Sequence, residues 1–163
     1  MYLMNKKVTN HIFNGLIILF FATPFLFILY GQVQQYIIGI NIKEILETNP
    51  YLNVIFITSF ITPFIGFYML HLKQESKKNL SREVFLIQLF IVAISFLIMG
   101  NYTYGLFIFI LIYFICMKWK IGIKKAYSYL KKLKFSVKDW LAPIGLLAIA
   151  TLIRIMLILV SNS

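Results

Sequence analysis

The sequence predicts an all-α fold: a polytopic integral membrane protein with five transmembrane helices, N-terminus in and C-terminus out, plus a basic amphipathic helix at the inner interface. Three observations carry that expectation. Of 163 residues, 61% are hydrophobic and 13% charged, about half the charge of a soluble domain. Charge-free apolar runs recur that match the roughly 20 helical residues needed to cross a ~30 Å hydrocarbon core. Lys and Arg collect in alternate connections, the pattern that retains cationic loops on the cytoplasmic side.

Taken in order, the first run has no charged residue from Val8 to Ile42, with its apolar centre at about 12–30. Lys6 and Lys7 before it suggest a signal peptide, but the run is too long, contains Pro24 and has no small-x-small cleavage site, so a permanent span is expected. A short surface helix, about Ile42 to Thr48, follows: Asn41 and Glu44 have the spacing of a capping box, and Asn49-Pro50 closes the segment. The second span covers about 51–70. Between Glu83 and Lys118 lie 34 uncharged residues, enough for two short spans, about 83–100 and 104–117, turning at Gly100-Asn101-Tyr102-Thr103-Tyr104-Gly105. The fifth, about 140–160, is uncharged except for Arg154. The whole chain, 1–163, is expected to form one bundle.

Lys6 and Lys7, then Lys73, Lys77, Lys78 and Arg82, then the eight lysines of the 118–139 loop fall on one predicted face, leaving Lys43 on the other. Within that basic loop, Trp119 to Val137 places apolar residues at a 3.6-residue spacing, with Lys120, Lys124, Lys125, Lys131, Lys132 and Lys138 opposite them. An interfacial helix on anionic phospholipids is expected, each lysine gaining about 1 kcal/mol near an anionic surface. A docking surface for an acidic partner is the alternative, and no nucleic-acid partner is expected. Six alanines against many Ile, Phe, Tyr, Lys and Asn match AT-rich codon usage. A bacterial cytoplasmic membrane is therefore expected, with an organellar membrane as the alternative.

The chemistry-bearing residues are few. One cysteine, two histidines sixty positions apart and five carboxylates supply neither a disulfide framework nor a metal or catalytic set, so no enzyme, metal or cofactor is expected. Arg154 is the one ionisable residue deep in an expected span, where a cation costs about 2.5–3.5 kcal/mol. It either snorkels to the outer headgroups, binds an anionic ligand or lipid, or pairs with Glu44 or Glu47, the carboxylates of the outer loop. Phe21-Ala22-Thr23-Pro24-Phe25 and Phe60-Ile61-Thr62-Pro63-Phe64 are similar segments at the centres of spans one and two. Pro24 and Pro63 should kink both helices and free the carbonyls of Phe20 and Ser59, with Thr23 and Thr62 able to satisfy backbone again.

Two functions follow as expectations. The first is a small non-enzymatic membrane protein acting by binding, as an accessory, regulatory or immunity-type subunit with a membrane-protein partner or a second copy of itself. The other is a small transporter or lipid/anion-binding protein using Arg154 and the kinked helices. A water-accessible cavity reaching Arg154 between spans one, two and five would favour the second; a tightly packed centre would favour the first.

Overall fold

A computed structural model of the chain describes residues 2–39, 41–76, 81–120 and 137–161. Among them are six helices: α1 (Tyr2–Ile38), α2 (Ile42–Thr48), α3 (Pro50–Glu75), α4 (Arg82–Ile98), α5 (Tyr102–Trp119) and α6 (Val137–Ser161). Four are long and apolar enough to cross a membrane, over Val8–Ile38, Pro50–Glu75, Tyr102–Trp119 and Trp140–Ser161. The expected amphipathic helix, with Lys124, Lys125, Lys131 and Lys132, lies outside the described residues, as do the side chains of Lys6, Lys7 and Lys138. Its two intended ends belong elsewhere: Trp119 closes α5, where Lys120 takes a left-handed φ of 53°, and Val137 opens α6.

The helices exceed the apolar centres that mark them in the sequence, because nothing stops them there. α1 continues through Gln32, Gln34 and Gln35 until Gly39 adopts φ 77° and its amide bonds back to the Gln35 carbonyl at 2.9 Å. α2 begins as expected at Asn41, whose side chain accepts from the Lys43 amide at 3.2 Å. Glu44 does not complete the capping box; Lys43 and Glu47 pair instead, 3.7 Å apart and exposed. The segment folds back so that Ile42 rests on Gly31 of α1, where a side chain of any size would collide with it. Asn49 and Pro50 then start α3 at once, with Asn49 capping the Leu52 amide at 3.2 Å.

The α4–α5 turn is shorter than the sequence suggested. Gly100, at φ 80°, ends α4, and Asn101 accepts from the Tyr104 amide to cap α5, so Tyr102 through Gly105 are already helical. Gly105 serves another purpose. A Cβ there would lie 2.7 Å from Leu97 Cδ2 and 3.3 Å from the Ala93 carbonyl, so its bare backbone is what lets α5 lie against α4.

Helix contacts run α1 to α3, α3 to α6, α6 to α4, α4 to α5 and α5 back to α1. α4 is the most enclosed: Val84 through Leu89 are all buried, so every side of its first half faces protein. Outward-facing positions elsewhere are apolar, including Phe64, Leu141 and Ile18, each more than two-thirds exposed. Such a continuous apolar exterior is foreign to a water-soluble monomer; with the four long helices it fits a multi-pass membrane protein. Lys73, Arg82 and Lys118 gather at one end, hereafter the basic end, where Lys73 bonds Asn14 and Arg82 lies 5.7 Å from the Trp119 ring. The distal end carries Tyr30, Pro50, Gly100 and Ser161.

Candidate functional site

The centre of the distal half is not filled. A crevice of about 680 Å³ opens there between α1, α3, the α4–α5 turn and α6. Tyr51, Tyr102 and Ser161 at helix ends, with Tyr30 eight residues before the end of α1, form its mouth, and Thr23, Thr58, Ser59, Thr62 and Tyr104 form its polar interior. Arg154 also lines it, seven residues before the end of α6, or about 10 Å along the helix axis. The guanidinium is near the α4–α5 turn, with Nη1 3.7 Å from where a Cβ on Gly100 would stand.

Two helix-breaking residues shape the interior. Pro24 removes the amide that would bond the Phe20 carbonyl, and Pro63 does the same to the carbonyl of Ser59. Both carbonyls meet one side chain. The Thr62 hydroxyl donates to Ser59 O at 2.7 Å and lies 3.1 Å from Phe20 O on the neighbouring helix, with Thr62 only 1% exposed. Close approach of the helices permits this: a Cβ on Gly66 would be 3.3 Å from Phe20 Cβ. Thr23 works differently from Thr62. Its hydroxyl bonds the Leu19 carbonyl at 2.8 Å and the Tyr104 hydroxyl at 2.7 Å. With its proton on Leu19 O, Tyr104 is the donor in the second bond.

Towards the basic end the crevice is closed by a cluster of rings, Phe20 and Phe96 stacked and Tyr104 edge-on to both. Phe20 lies 5.2 Å from Phe96 and 5.3 Å from Tyr104, and Phe96 lies 5.5 Å from Tyr104, separations typical of favourable aromatic pairs. Phe20 and Phe96 are fully buried. The crevice is therefore floored by packed rings on the side of the basic end.

Thr23, Thr62 and Arg154, singled out by sequence, share this crevice. Pro24 is buried and Pro63 half-buried behind its wall, acting through the carbonyls they release. The expected pairing of Arg154 with Glu44 or Glu47 does not form. α2 is held on α1 and α3 by its apolar side, which turns Lys43, Glu44 and Glu47 outward. Among the described residues Arg154 makes no ion pair or hydrogen bond, and no crevice-lining residue is a carboxylate. Sequence reading missed Tyr104, Asn101, Thr58 and the mouth tyrosines as parts of a site, since tyrosines near span ends usually signal the membrane interface. No group of three or more metal-ligating side chains occurs among the described residues.

Comparison of the chain with protein-family models, curated proteins and solved structures gives no match.

Proposed function

We propose that this is a five-span membrane protein that acts by binding, and that its crevice takes a small anionic ligand or an anionic lipid headgroup at Arg154. The observation that carries this reading is an unpaired guanidinium lining a sizeable cavity between the first, second and last spans, with no carboxylate in the wall. A cation at that depth in a bilayer costs about 2.5–3.5 kcal/mol, and neighbouring side chains do not offset it. An anion entering from the distal end would. In this reading α4, at 17 residues and about 25 Å, is the additional span; being enclosed by other helices, it need not match the lipid thickness. Read from the sequence, 14 of the 16 Lys and Arg residues lie before the first span or in the second-to-third and fourth-to-fifth span connections, a bias that supports a cytoplasmic basic end and an external crevice mouth. In this reading the role is binding, carried by a cation and the hydroxyls that the crevice offers.

Native mass spectrometry of protein purified in mild detergent, wild type beside Arg154→Ala, tests this. The wild type is expected to retain an anionic lipid or small anion that the variant loses. Identical spectra would remove the reading.

An accessory or immunity-type role with a protein partner has one observation of its own. Beyond the bundle end, α1 continues with Val33, Tyr36, Ile37 and Ile38 more than half exposed, an apolar projection on the distal face. Crosslinking from a photoreactive group at Tyr36 that captures a single stoichiometric protein would favour it.

A further inference from the structure

The interior hydroxyls of the crevice are arranged as acceptors, while the donors left free by backbone stand at its rim, on Asn101, Tyr102 and Thr103. A hydroxyl has one proton and two lone pairs, and here the protons are committed to backbone: Thr58 to the Val54 carbonyl at 2.7 Å, Ser59 to Phe56 at 2.6 Å, Thr62 to Ser59 at 2.7 Å and Thr23 to Leu19 at 2.8 Å. Tyr104 spends its own proton on Thr23. What these side chains present to the cavity is lone pairs, while the charged donor is Arg154. A bare anion would find favourable contact at the guanidinium and repulsion from the interior oxygens deeper in the crevice.

We infer that the occupant is a hydroxyl-bearing monoanion: one phosphodiester or carboxylate for Arg154, and alcohol groups that donate to Thr58, Ser59 and Thr62. Three features select this class. The cavity, at about 680 Å³, is of the size that holds an organic ligand and far exceeds an inorganic ion. One formal positive charge neutralises one negative charge, and a second would find no further cation among the lining residues. A ligand ammonium could also donate to the lone pairs, but it would share the cavity with Arg154 and no carboxylate, so neutral alcohol donors fit better. The same chemistry occurs in the headgroup of phosphatidylglycerol and in free glycerophosphodiesters.

This inference rests on the anion-binding reading above, and the test separates the two. Full-length protein is placed in phosphatidylcholine nanodiscs containing either phosphatidylglycerol or phosphatidylmethanol, which carry the same charge and differ in their headgroup hydroxyls. Enrichment at the protein is read by native mass spectrometry. In a parallel arm, glycerophosphoglycerol or dimethyl phosphate is titrated into pure phosphatidylcholine nanodiscs and followed by calorimetry.

The hydroxylated member of a pair should bind about tenfold better, the worth of one or two added hydrogen bonds. Arg154→Ala should abolish binding of both, and Thr58→Val should narrow the preference. Preference in the lipid arm alone identifies a lipid headgroup; preference in the soluble arm identifies a free ligand. Equal, Arg154-dependent binding of the hydroxyl-free counterparts would overturn the inference and leave anion binding standing. If no member of either pair binds in an Arg154-dependent way, both fall. Because the ligand pairs are compared on the wild-type protein, the hydroxyl preference itself is read without any variant, and Arg154→Lys, which keeps the charge, stands beside Arg154→Ala as the control for folding.

Discussion

The Thr62 proton answers for two carbonyls, one released by each proline. This bond joins the first two long helices where neither can satisfy itself, and bonds of this kind in membranes contribute about 0.6 kcal/mol on average and up to about 1.7. Thr62→Val, which keeps the shape and removes the hydroxyl, should destabilise the fold by about 1 kcal/mol, whereas Thr62→Ser should recover most of it. Unfolding titrations in mixed micelles would measure both; no loss with Thr62→Val beside a loss with Thr62→Ser would show that shape and not the hydroxyl matters. The sequence made the released carbonyls and the threonine remedy legible, because both follow from proline chemistry. It did not reveal that Thr62 serves the other helix as well, since that depends on the close approach at Gly66. Arg154 was legible as an expense; the place of its relief was not, because the two nearest carboxylates in sequence logic sit on a helix that turns them outward.

Among the elements, the α4–α5 hairpin shows how glycine changes meaning with its neighbours. Gly100 and Gly105 look equivalent as turn residues, yet Gly100 holds the left-handed conformation while Gly105 lies within α5 against Leu97. Asn101 makes the difference by capping α5 immediately. Gly105→Val should push the two helices apart at a cost of roughly 1–3 kcal/mol, the usual penalty of overpacking, seen as a lowered melting temperature in detergent. Gly31→Val should act locally: it displaces Ile42 and with it α2, so a cysteine at position 46, half-buried in the native protein, should label faster while the melting temperature of the bundle barely moves. Unchanged labelling would mean that α2 is held by something other than that contact.

At the level of the whole molecule, charge-free run lengths and caps gave the helices and their order. The ring of contacts that takes in α4 and leaves a distal crevice was beyond them, because it depends on which helix faces meet, and faces this uniformly apolar carry little directional signal. The topology is open to direct test: impermeant thiol reagents on intact cells, in a Cys116→Ala background, should label cysteines placed at 46, 101 and 163 and spare those at 78 and 128. Labelling at 78 together with protection at 101 would mean that the chain crosses in the opposite sense. The described helices also differ greatly in length. α1 rises about 55 Å and α5 about 27 Å over their 37 and 18 residues, although both present apolar side chains to the exterior. Across a ~30 Å core α5 just reaches from side to side, so α1 would lean or project beyond it, and any thicker bilayer would have to thin beside α5. The protein thereby acquires a preference among membranes: short-chain lipids should collect along its α5 flank, and thicker, sterol-like bilayers should exclude it.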